Sequence, residues 1–215
     1  MTSDDTSLAT AEVCLFWLPL GADGNPAVRW GGRAYEALAA RRERRDRLRL
    51  FHSALRIRLD GVAFVVEMAP AWGAQAPDRG VVSEGPVGFA WLGRSRLFRY
   101  EIRRWRDGVI PDIDQAVDSP VDLGAAEWQA RVLLSLVPGC PTPVWGRDGL
   151  GAGDMWNSNS VVAWLLTRVR LPLDDLAPPR QGRAPGWSAG VRVAQRQLAR
   201  SDVGPLTGRE TSPWP

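Results

Sequence analysis

Apolar and polar positions alternate most regularly on either side of Asp60-Gly61. Phe51 to Leu59 and Val62 to Met68 both repeat every second residue, as strands with one buried face do. An Asp-Gly pair between such runs supplies the positive φ angles that a two-residue hairpin loop demands. In that register Leu59 faces Val62, Ile57 faces Phe64, Leu55 faces Val66 and Ser53 faces Met68. One face is then apolar almost throughout. The other carries His52, Ala54, Arg56 and Arg58 against Ala69, Glu67, Val65 and Ala63. A slip of one residue would turn all of these side chains over, so the pattern fixes the pairing.

The same reading extends along the chain. Val13 to Leu20 predicts a buried strand. Residues 33–49 predict a helix with Tyr35, Leu38 and Leu48 inward. Further strands are expected near 80–82, 86–92 and 95–104, the last ended by Asp107-Gly108. A helix over 125–136 has Trp128, Val132, Leu133 and Leu136 as its inward stripe. After a glycine-rich loop over 138–153, a helix is expected at 158–168 and a short one near 191–199. The whole predicts a single α+β domain over 11–200, an antiparallel sheet packed against helices. Residues 1–10 and 201–215 are expected to be flexible ends.

Composition narrows the class. The chain has 215 residues, 45% hydrophobic and 24% charged, the balance of an ordinary globular domain with a core of its own. All 27 basic residues are arginine, and the net charge is only +3. The densest run, Arg41 to Arg49, is interrupted by Glu43 and Asp46, which fits a solvated helix face better than a nucleic-acid surface. Eleven Trp residues are too scattered to form a base-stacking platform. Nucleic acid is therefore not the expected partner. Cys14 and Cys140 stand far apart, and the single His leaves too few soft ligands for zinc; no metal and no cofactor are expected. The acidic start and the short apolar runs predict neither a signal peptide nor a transmembrane segment, and the expected compartment is the cytoplasm.

Chemistry is concentrated at three places. His52 begins a strand. Glu67 lies on the paired strand, same face, one diagonal step away. Trp156-Asn157-Ser158-Asn159-Ser160 opens an apolar helix. A hydroxyl at a helix start gains from free amide groups and from the helix dipole. An imidazole can take its proton, and a carboxylate can orient the imidazole.

The segment FHSALRIRLDGVAFVVEMAP resembles the His-bearing hairpin of papain-like folds of the NlpC type, and MWNSNSVVAWLLTRVRL resembles their nucleophile helix. The order, hairpin before helix, is that of the circularly permuted branch, which includes lecithin:retinol acyltransferase-like proteins and related bacterial amidases and lipases. The two segments span 20 and 17 residues. The resemblance implies a hydrolase or acyltransferase acting on an amide, ester or thioester of a small molecule or peptide. Ser158 would be the nucleophile, His52 the general base and Glu67 the third polar residue. Those families carry Cys where this chain has Ser158. The alternative is thus a catalytically inactive module that holds a peptide, acyl chain or protein partner in the same cleft. Asn157, Asn159, Trp145 and Trp156 are the candidate substrate contacts, and Cys140 is a candidate displaced nucleophile.

Overall fold

The computed structural model describes residues 11–21, 26–73 and 78–202. Of the ends expected to be flexible, 1–10 and 201–215, residues 1–10 and 203–215 lie outside the described residues, whereas Ser201 and Asp202 belong to the last helix. The order of elements is β1 (Glu12–Pro19), α1 (Pro26–Glu43), β2 (Arg49–Leu59), β3 (Val62–Pro70), β4 (Val81–Pro86), β5 (Arg99–Arg106), β6 (Val121–Asp122), α2 (Glu127–Leu136), α3 (Ser158–Arg168), β7 (Gly182–Arg183) and α4 (Trp187–Asp202). The fold is α+β. Six antiparallel strands run in the order β4-β5-β3-β2-β1-β6, and the two-residue β7 joins the start of β2 in parallel.

The hairpin has the expected register from Leu59↔Val62 to Leu55↔Val66. Asp60 and Gly61 both hold positive φ, 51° and 74°. Beyond Leu55 the pairing with β2 stops, so Ser53 and Met68 are not partners; along its other edge β3 pairs with β5, from Phe64↔Arg106 to Pro70↔Tyr100.

Strand alternation gives the sheet two different faces. Val13, Leu15, Trp17, Leu55, Ile57, Val66, Tyr100 and Ile102 face α2, α3 and α4 and form the main core with them. The helices α3 and α4 cross closely at Gly190, where a Cβ would sit 2.2 Å from the Ser160 carbonyl oxygen. The opposite face carries a small cluster of Cys14, Phe16, Leu18, Ala54 and Val65, closed over by Ile110, Ile113 and Ala116 of the β5–β6 connection.

Four expectations are corrected. No strand occupies 86–92. Instead β4 ends at Pro86, and two short 3-10 turns, Ala90–Arg94 and Arg96–Phe98, lead to β5. Gly88, at φ 79°, breaks the extended run there. The first helix covers Pro26–Glu43, not 33–49, because Arg44 takes a left-handed conformation that ends it. Leu38 is exposed. The inward stripe of α2 is Ala130, Leu133, Leu134 and, just beyond it, Val137, whereas Trp128 and Val132 are exposed. The period was right and its phase was off by one position. The last helix starts earlier than its predicted 191 and runs four turns.

β4 forms one margin of the sheet and carries a register shift between Val81 and Ser83. β6 forms the other. Among the described residues, no helix is long and apolar enough to cross a membrane.

Candidate functional site

The start of α3 is built as a cap. Asn157 Oδ1 accepts the backbone N–H groups of Asn159 at 3.0 Å and Ser160 at 3.3 Å. Ser160 Oγ accepts the Asn157 N–H at 3.1 Å and donates to the Gly186 carbonyl at 2.8 Å. Asn157 Nδ2 and Asn159 Nδ2 each donate to the Pro185 carbonyl at 2.9 Å. The Pro185-Gly186 segment therefore lies directly on the helix start, with no space for a Cβ at Gly186. Two of the amides expected to hold an oxyanion are consumed by the cap. Ser158 itself is only 6% exposed. Asn157 and Asn159, expected as substrate contacts, are structural: one caps the helix, the other ties it to β2 through the Phe51 carbonyl at 3.0 Å.

That last bond places the helix start at the His52 end of the hairpin, as expected, but on the wrong side of it for catalysis. Phe51 faces the helices. His52 pairs with Leu18, and directly opposed residues share a face, so His52 belongs with Leu18 and Ala54 on the opposite side of the sheet. The structure thus separates Ser158 from His52 by the sheet itself. His52 and Glu67 do share a face. Glu67, however, is buried and accepts Arg103 Nη1 at 2.8 Å. Burial raises its pKa in spite of that arginine.

The remaining predicted residues stay in the main core. Trp156 is buried, and its indole Nε1 has no hydrogen-bond partner among the described residues. Trp145 is half-buried and meets Tyr100 edge-on at 5.8 Å. Cys140 is buried and its thiol pKa is pushed up by desolvation alone, the opposite of what a thiolate nucleophile needs.

Two polar assemblies were not anticipated. The first is a buried ion network on the His52 face. Arg79 grips Glu101 with Nε at 2.7 Å and Nη2 at 2.5 Å. Arg103 bridges Glu101, at 2.9 Å, and Glu67. All four side chains are buried.

The second is a cleft of about 600 Å³ where α1 meets the end of the sheet. One face of α1 supplies Arg29, Gly32, Arg33 and Glu36, whose spacing stacks them on successive turns. Pro19 to Gly21 close it from β1, Arg47 to Leu50 from β2, and Gln115 from the β5–β6 connection. Glu36 is buried at its inner side. It accepts Arg45 Nη1 at 2.5 Å and the Leu48 N–H at 2.9 Å, and Arg183 stands 3.5 Å away. These contacts outweigh burial and lower its pKa, so it is a fixed anion already matched by cations. Arg29, Arg33, Arg47 and Arg49 are exposed, and none is in an ion pair with another described residue. Arg29 and Arg33 stand on α1, Arg47 in the connection that follows it and Arg49 at the start of β2. Only the reversal at Arg44 brings them to one cleft.

Compared with known proteins, this chain matches no protein-family model, no curated protein and no solved structure.

Proposed function

We propose that this protein is a non-catalytic binding protein whose cleft between α1 and the β1–β2 end takes a small polyanion of roughly nucleotide size, bearing phosphate groups. The observation that carries this reading is the set of four arginines around one cleft, none of them in an ion pair with a described residue. Guanidinium groups bind phosphate through two parallel hydrogen bonds, and no ion pair to a described residue has to be broken first. The volume falls in the range of small-molecule sites. Glu36, held by Arg45 and Arg183, supports the reading as an anchor that fixes the angle of α1 to the sheet.

The test is calorimetric titration of the full chain with pyrophosphate and with a nucleoside triphosphate, at low and high salt. The expected result is binding that weakens steeply with salt, and that Arg33→Gln/Arg49→Gln weakens at least about tenfold without lowering the melting temperature. No binding of either compound at millimolar concentration, or binding indifferent to those substitutions, would reject it.

An acyl-transfer reading, with the permuted papain-like arrangement behind it, draws no support from a sheet standing between hydroxyl and imidazole. Labelling of Ser158 by a fluorophosphonate, dependent on His52, would restore it.

A further inference from the structure

The two 3-10 turns between β4 and β5 present large apolar side chains to solvent. Trp91 is 68% exposed, Leu97 61% and Phe89 51%, and Phe98 is exposed as well. Phe89 and Trp91 stack with ring centroids 6.4 Å apart. The turn carrying Leu97 and Phe98 lies beside both the Ala90–Arg94 turn and the one that carries the exposed Trp72, so these exposed residues sit on adjoining turns. Isolated exposed apolar residues need no explanation, but five on adjoining turns do.

The patch is rimmed by cations. Arg94, Arg96 and Arg147 are all exposed. The Arg147 guanidinium lies over the Phe89 ring at 4.4 Å. Arg96 has one distant acidic neighbour, Glu101 at 3.9 Å, whose charge is already held by Arg79 and Arg103. Neither Arg94 nor Arg147 is in an ion pair with a described residue.

We infer that this turn region docks on an anionic membrane surface, with Trp91, Phe89 and Leu97 entering the interfacial layer and Arg94, Arg96 and Arg147 meeting the headgroups. Side chains more than half exposed stand out from a surface; they do not line a groove for a peptide. A bilayer accepts such a projection without a complementary shape, and aromatic rings beside arginines suit the depth and charge of its interface. The site is separate from the arginine cleft and does not depend on it.

The test is flotation of the full chain with vesicles of phosphatidylcholine alone or mixed with phosphatidylserine. Binding is expected only with phosphatidylserine, and it should weaken with salt. Trp91→Ala/Leu97→Ala should weaken it at least about tenfold. Arg94→Gln/Arg147→Gln should also weaken it, and Arg33→Gln/Arg49→Gln should leave it intact. All these positions are exposed, so an unchanged circular dichroism spectrum is the control for folding. Four results would overturn the inference: no flotation with phosphatidylserine, equal flotation of the Trp91/Leu97 variant, loss only in the Arg33/Arg49 variant, or a dimer in sedimentation velocity that the Trp91/Leu97 variant abolishes. The last would mean that a second copy covers the patch.

Discussion

Glu101 is the hub of the buried ion network, and replacing it with Gln tests whether the network acts as a unit. The amide keeps the shape and one acceptor oxygen but removes the charge that Arg79 and Arg103 both use. Both buried guanidinium groups then lose the charge they share, and Arg103 keeps Glu67. Breaking a buried pair from one side costs about 3–5 kcal/mol, because the charge left behind stays desolvated. A domain of this kind has a total stability of roughly 5–15 kcal/mol, so the loss is large. At about 2–4 °C per kcal/mol for this size, the melting temperature should fall by roughly 10 °C. Glu67→Gln should behave differently. Burial already opposes the charge at Glu67, and an amide oxygen can still accept Arg103. Its cost is expected within about 1 kcal/mol. Urea unfolding at neutral pH, followed by circular dichroism, measures both. A Glu101→Gln protein within about 1 kcal/mol of the parent, or a Glu67→Gln protein equally damaged, would refute the reasoning.

The cap on α3 gives a second contrast. Asn157→Ala should cost about 2 kcal/mol, since it removes the acceptor for two amides and a donor to Pro185, whereas Ser158→Ala, outside the cap network, should cost about 1 kcal/mol or less in the same urea assay. On α2, Leu133→Ala should cost about 2–5 kcal/mol and Trp128→Ala less than about 0.5, which thermal melts would resolve; equal effects would mean that the buried stripe is misplaced. Acid should destabilise the fold through Glu36 and Glu101, whose carboxyl pKa values are held below the ordinary range by Arg45 and by Arg79 with Arg103. A depressed folded pKa stabilises above the unfolded value of about 4.3 and is lost as pH falls through the folded one, so urea midpoints should drop below about pH 4, less steeply in Glu101→Gln. Glu67, shifted the other way, gains stability as pH falls through its raised pKa and offsets part of the drop.

Local signals were legible where the backbone itself imposes a residue type. Asp60-Gly61 fixed the hairpin because few residues tolerate positive φ at both turn positions. Asn157 marked the first residues of α3 because an uncapped amide row is costly. The two ends of the expected site do lie close together in the fold, as the Asn159–Phe51 bond shows. The hairpin pattern did set His52 on the face opposite the apolar one; nothing in the α3 segment states on which side of the sheet the Ser158 hydroxyl lies. Hence His52 and Ser158 could be placed near each other along the strand but not across it. Glu101 and Arg103 alternate with apolar neighbours in β5 and read as solvent-facing; Arg79, far away in sequence, is what allows them to be buried. The arginine cleft stayed hidden for the same reason, since its four cations come from α1, the connection after it and the start of β2, which the turn at Arg44 folds together.

Both margins of the sheet are poor templates for another strand. Along β4 the ladder is interrupted between Val81 and Ser83, and Pro86 has no amide hydrogen to offer. On the far side β6 presents only two residues. Strand recruitment through these two margins therefore finds no long run of unsatisfied main-chain groups among the described residues, and they should not seed intermolecular β structure in concentrated solutions of the folded protein. Self-association, where it occurs, has to proceed through side chains.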